Sequence, residues 1–99
     1  MKTELIFTGN FGEDCQLVWD NMKALQLDSN NYASDRGVYR MYFSFMYKGK
    51  NHTNIKAFYD PNEENFMFIP YANELGFTEY EWSIVQNVIA IVTKKEYNL

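Results

Sequence analysis

Val38-Tyr39-Arg40-Met41-Tyr42-Phe43-Ser44-Phe45-Met46-Tyr47-Lys48 alternates with a period of two, the spacing that sends successive side chains to opposite faces of a β-strand. Tyr39, Met41, Phe43, Phe45 and Tyr47 fall on one face, and all five are large and apolar or aromatic. Arg40, Tyr42, Ser44, Met46 and Lys48 fall on the other. A slip of one residue would turn the apolar face to water, so the register is strongly fixed. This stretch is a strand.

Two more strands follow. Gly49 tolerates φ > 0, as tight hairpin turns require, and the sequence predicts a hairpin centred on Lys48-Gly49-Lys50-Asn51. In the run from Thr53 to Tyr59, Ile55, Ala57 and Tyr59 point inward, with Asn54, Lys56 and Phe58 outward. Asp60-Pro61-Asn62-Glu63 suits a type I turn. Asn65 to Tyr71 forms the third strand, with Phe66 and Phe68 inward and Met67, Ile69 and Tyr71 on the opposite face. Pro70 cannot donate to a ladder, so this strand ends there or lies at an edge.

Before these strands, Glu4 to Thr8 reads as a short strand with Leu5 and Phe7 on its core face. Asn10-Phe11-Gly12-Glu13 pairs an N-cap residue with an acid three places on. A helix is expected from there to about Leu25, because Cys15, Val18, Trp19, Met22 and Leu25 recur at helical steps. Gln26 to Gly37 is turn-rich and reads as a loop, and Ala72 to Gly76 as a second connection. Thr78-Glu79-Tyr80-Glu81 is a capping-box signature, and Lys94 and Lys95 stand where the helix dipole favours cations. The last helix is expected from Glu79 to about Glu96.

The expected fold is thus α+β, a two-layer sandwich of order β-α-β-β-β-α. Two helices cover one face of an antiparallel sheet. Ninety-nine residues make one domain spanning 1–99, and a hydrophobic fraction of 46% excludes a disordered chain. With Cys15 the single cysteine, neither an intramolecular disulfide nor a cysteine zinc cluster is possible. No signal-like or bilayer-length apolar run is present, so a soluble, cytoplasmic protein is expected.

The last helix carries more apolar surface than one seam needs. Tyr80, Ile84, Val85, Val88, Ile91 and Val92 form a central stripe that Trp82 and Ile89 extend along one flank. Either Trp82 lies in the groove between the helices, or Trp82 and Ile89 form a patch for a partner or a homodimer.

Charge is segregated along the chain. Arg36 to Tyr59 carries Arg36, Arg40, Lys48, Lys50 and Lys56 and no acid, whereas the flanking segments are acidic and the whole chain has a net charge of −4. Arg40, Lys48 and Lys56 are expected to share a sheet face with Tyr42, Met46 and Phe58. Such a face suits a protein partner, or single-stranded nucleic acid held by phosphate pairing and base stacking. Exposed sheet faces also carry these residues for solubility and cross-strand pairing. Lys48, Lys50 and His52 at the hairpin tip are placed to meet a phosphate or an acidic protein. The acids Glu13, Asp14, Asp20, Glu74, Glu79 and Glu81 suit the opposite role, that of filling a basic site on a nucleic-acid enzyme. A solvated acidic face would look the same.

Catalytic and cofactor chemistry finds little support. His52 is the lone histidine, no calcium-loop spacing occurs, and Cys15 lies on the apolar helix face. Gly9-Asn10-Phe11-Gly12 lacks the ending of a phosphate loop and is followed by two acids. Glu63 and Glu64 are neighbours on a turn, not carboxylates held across a cleft. No cofactor and no metal are expected.

From the first helix onward, the expected α-β-β-β-α order resembles that of double-stranded RNA-binding domains. In that family a basic cluster opens the last helix; here the same place reads Thr78-Glu79-Tyr80-Glu81, so the function does not transfer with the topology. The expectation is a small non-enzymatic binding protein that occupies a macromolecular partner, such as an inhibitor, immunity protein or accessory factor. The alternative is a nucleic-acid-binding module using Arg40, Tyr42, Lys48, Lys50, Lys56 and Phe58.

Overall fold

A computed structural model describes residues 4–33 and 37–99. The elements are helix α1 (Gly12–Asn21), strands β1 (Met22–Ala33), β2 (Val38–Tyr47), β3 (Lys50–Asp60) and β4 (Asn65–Phe68), the single turn α2 (Ala72–Leu75) and helix α3 (Glu79–Tyr97). The sheet is antiparallel in the order β1-β2-β3-β4. The fold is α+β, with α1 and α3 packed together over the sheet.

Met41, Phe43, Phe45 and Tyr47 of β2 are buried, as are Ile55, Ala57 and Tyr59 of β3. They meet Cys15, Val18 and Trp19 of α1 and Trp82, Ile84, Val85, Val88, Ile89 and Val92 of α3 in one core. The β2–β3 turn is Lys48-Gly49, with φ of 51° and 76°, the two positive values that a two-residue type I′ hairpin needs. The Asp60 carboxylate accepts from the backbone N–H groups of Asn62 and Glu63, which fixes the next turn.

The order along the chain is α-β-β-β-β-α, which corrects the expectation at the N-terminal end. Residues 4–8 are not a strand. They pass beside α1, where Gln16 Oε1 accepts from the Phe7 N–H at 3.2 Å. Asn10 is not the N-cap; that position falls on Phe11 and has no side-chain cap bond. Helix α1 stops at Asn21, four residues short of Leu25, and Met22 enters β1 directly with φ −87° and ψ 137°. The Asn21 side-chain amide donates to the Leu17 carbonyl at 2.8 Å, folding back on the last turn of the helix. Most of the expected loop Gln26–Gly37 is strand, while its residues 34–36 lie outside the described residues. A fourth strand ahead of the hairpin also removes the likeness to the double-stranded RNA-binding order.

Two further corrections are smaller. β4 ends at Phe68 rather than Tyr71, and the connection after it contains the turn α2, closed by Gly76 at φ 79°. Helix α3 starts as expected: the Thr78 hydroxyl accepts from the Glu81 N–H. Its last turn is tied down where Lys94 Nζ donates to the Glu64 carbonyl at 2.6 Å.

Bulges set which side chains face the core. In β2–β3 the register passes from Phe43↔Ile55 to Phe45↔His52, so Thr53 and Asn54 together oppose Ser44. Asn54 takes φ 55° there, and the extra residue switches the inward parity of β3 from odd to even numbers. β1 has two such irregularities, between Lys23 and Gln26 and between Leu27 and Ser29.

Candidate binding surfaces

The sheet face turned away from the helices carries two adjacent rows of the expected partner-binding residues. Arg40 lies directly opposite Phe58, and Tyr42 opposite Lys56. Directly opposed residues in an antiparallel pair project to the same side, so the four converge. Lys56 Nζ sits 5.1 Å from the Phe58 ring centroid, within cation–π range. The first row continues through Asn31 on β1 and the exposed Met67 on β4, and the second through Ser29. Further along, Met46 is exposed opposite Lys23 and Asn51. Asp28 is held at the β1 border by bonds from Gln26 and Ser44.

Lys48 and Lys50 do not join that group. Lys48 occupies the hairpin turn, and its Nζ lies 2.9 Å from Glu81 Oε2, which raises its pKa through the hydrogen bond to that carboxylate. The same Glu81 oxygen accepts from the Tyr47 hydroxyl at 3.3 Å. Burial is the main cause that raises the Tyr47 pKa, with Lys48 opposing it. Lys50 is opposite core-facing Tyr47, so it projects to the helix side, where its Nζ approaches Gly76. The basic hairpin is thus divided: Arg40 and Lys56 on the open face, Lys48 and Lys50 facing the helices.

His52 is not at a hairpin tip reaching outward. The bulge at Asn54 turns it inward, and only 5% of it is exposed. It stacks on Phe45 at 4.9 Å and meets Phe77 at 5.1 Å between ring centroids. Burial lowers its pKa, and the neighbouring Lys50 charge adds to that, so the neutral imidazole is favoured.

Trp82 and Ile89 are 5% and 0% exposed and belong to the core of the single chain. Trp82 packs against Phe68, Phe77 and Pro70 rather than between the two long helices. The buried arc of α3 is rotated toward them, which leaves Tyr80 and Ile91 exposed. As the wild-type fold stands, a dimer patch centred on Trp82 and Ile89 has no surface.

A second surface escaped the sequence-based reading. Between α1 and the start of α3 lies a groove of about 190 Å³ whose lining includes Asp14, Leu17, Tyr47, Tyr80, Glu81 and Ile84. The Tyr80 hydroxyl donates to the Asp14 carboxylate, the first cause raising the Tyr80 pKa. Phe11 meets the Tyr80 ring edge-on at 6.3 Å. The signal for this groove was Leu17, an apolar residue on the side of α1 opposite the Cys15–Val18–Trp19 stripe.

Cys15 is buried, with its pKa raised first by burial and then by Asp14, the mark of an unreactive thiol. Among the described residues no group of three or more His, Cys, Asp or Glu side chains is placed to hold a metal ion. Among them, too, no helix is long and apolar enough to cross a membrane. Comparisons with protein-family models, curated proteins and solved structures find no match to this chain.

Proposed function

We propose that this chain is a small non-enzymatic binding protein that acts by occupying a protein partner, as an inhibitor, immunity protein or accessory factor does. The observation that carries this reading is the convergence of Arg40, Tyr42, Lys56 and Phe58 on the open sheet face, beside exposed Met67. Aromatic, methionine and arginine side chains are the types enriched at interfaces. Three strand spacings of about 4.8 Å by ten residues of about 3.3 Å give this face roughly 500 Å² before side-chain relief is counted. A standard interface takes about 800 Å² from each partner. The face therefore suits a compact contact with one partner rather than an extensive obligate interface, and its cations favour an acidic one.

The test is affinity capture from the source cell with the wild-type chain and with Arg40→Glu/Lys56→Glu. Both substitutions lie on the solvent side of the sheet and leave the core intact. One protein retained stoichiometrically by the wild type and lost by the variant is the expected result. An identical set of captured proteins for both chains rejects the sheet face as the site.

A second reading, single-stranded nucleic acid, draws on the same pairing of each ring with a cation across the strands. The acidic helices oppose a large polyanion footprint, so the protein partner leads. Anisotropy with a labelled 12-nucleotide single strand at low salt separates the two. Saturable binding that weakens steeply with salt, and is lost in Arg40→Glu/Lys56→Glu, would replace the protein reading.

A further inference from the structure

The groove between α1 and the start of α3 combines exposed apolar groups with the carboxylates of Asp14 and Glu81, and further acids stand near it on both helices. Leu17 is 62% exposed and Tyr80 54% exposed, on opposite walls. Neighbours three and four places along a helix lie on the same face, so Asp14, Asp20 and Glu13 surround Leu17. Glu79 and Glu81 flank Tyr80 on α3. Lys48 is the cation on the groove wall, and it is engaged by Glu81.

The two walls are held in place. Tyr80 is fixed by its bond to Asp14 and by the edge of Phe11, and Glu81 by Lys48 and Tyr47. An aromatic anchor whose rotamer is already set loses little entropy on binding. Exposed leucine and tyrosine rimmed by acids are what a cationic amphipathic segment complements. Its apolar side chain fills the space between Leu17 and Tyr80, and its lysines or arginines meet the carboxylates.

We propose that this groove docks a basic amphipathic segment of a protein, with Leu17 and Tyr80 as the apolar contacts and Asp14, Asp20 and Glu13 as the charged rim. The surface is separate from the open sheet face, so the proposal does not depend on that face being an interface. A second copy of this chain is a poor occupant of the groove, because copies meeting through it would bring acidic rims together.

The probes are three synthetic 14-residue peptides: one of lysine and leucine in amphipathic order, one with its leucines replaced by serine, and one with its lysines replaced by glutamate. Binding is followed by amide shift perturbation and titration calorimetry on the full chain. The lysine–leucine peptide is expected to shift amides around Leu17 and Tyr80. Its affinity should fall at least tenfold for Leu17→Ser and for the serine peptide, with no binding of the glutamate peptide. Leu17 is exposed, so its substitution leaves the fold in place, and Arg40→Glu/Lys56→Glu should bind as the wild type does. Equal affinity for the lysine–serine peptide would reduce the contact to bulk charge and overturn the proposal. So would shifts confined to the sheet face, no binding at low salt, or self-association of the chain through this groove.

Discussion

The indole N–H of Trp82 donates to the carbonyl of Pro70 at 3.0 Å, which latches α3 to the chain just beyond the last strand. The same ring stacks on Phe77 at 5.7 Å and meets Phe68 edge-on at 5.6 Å. Trp82→Phe keeps an aromatic ring but leaves the carbonyl without this donor, an expected loss of about 1–3 kcal/mol. Trp82→Ala adds a cavity and should lose about 3–5 kcal/mol. Urea unfolding checks both as falls in midpoint at constant slope. Equal midpoints for wild type and Trp82→Phe would show that water satisfies Pro70.

Gly12→Ala carries the opposite sign from the usual helix rule. Alanine in place of glycine ordinarily stabilises a helix interior by about 0.5–1 kcal/mol. At Gly12 the added Cβ would lie 2.8 Å from the Phe7 carbonyl oxygen and 3.2 Å from its carbon, both backbone atoms. Overpacking of this kind costs about 1–3 kcal/mol, so the substitution should lower the melting temperature. A rise would mean that residues 4–8 yield without loss.

Asn54 should reject a β-branched residue even though it lies within a strand. Its φ of 55° puts it in the left-handed region, where a side chain with a crowded Cβ costs about 1–2 kcal/mol. Asn54→Val should therefore destabilise and Asn54→Gly should not, the reverse of strand propensity. Denaturant midpoints of the two variants decide the matter.

Acid should weaken the hairpin through His52. Its folded pKa lies below the unfolded one because burial and Lys50 disfavour the charged ring. The unfolded chain then takes up the proton first as pH falls. The stability linked to the neutral ring is full above the unfolded value, about 6.5, and is lost as pH drops toward the folded value. His52→Phe should remove that part of the acid-side slope, seen as a smaller change of unfolding free energy between pH 7 and pH 5. An unchanged slope would assign the acid response to other groups.

The hairpin, both central strands and α3 were readable because each shows an uninterrupted period, with turn or cap residues at its ends. β1 was not. Its inward positions step by three from Met22 to Leu25 and by two from Leu25 to Leu27, since a bulge with Ala24 at φ 55° lies between the first pair. Cys15, Val18, Trp19, Met22 and Leu25 therefore continue a helical rhythm across a real boundary. The same effect hid His52, whose inward aim depends on the extra residue at Asn54. On the open face, Arg40, Tyr42, Lys56 and Phe58 could be grouped because alternation is unbroken around them. Lys48 and Lys50 were misplaced because a type I′ turn redirects residues that simple alternation would leave in line.

The two irregularities in β1 have a consequence for life at high concentration. β1 forms one border of the sheet, and a straight, long border is a template on which further copies can add and grow into fibres. Its crooked outline breaks the even spacing of donors and acceptors that such growth would have to copy. Straightening it, by removing Ala24 or Asp28, should therefore favour aggregates, seen as a rise in light scattering at protein concentrations where the wild type stays clear.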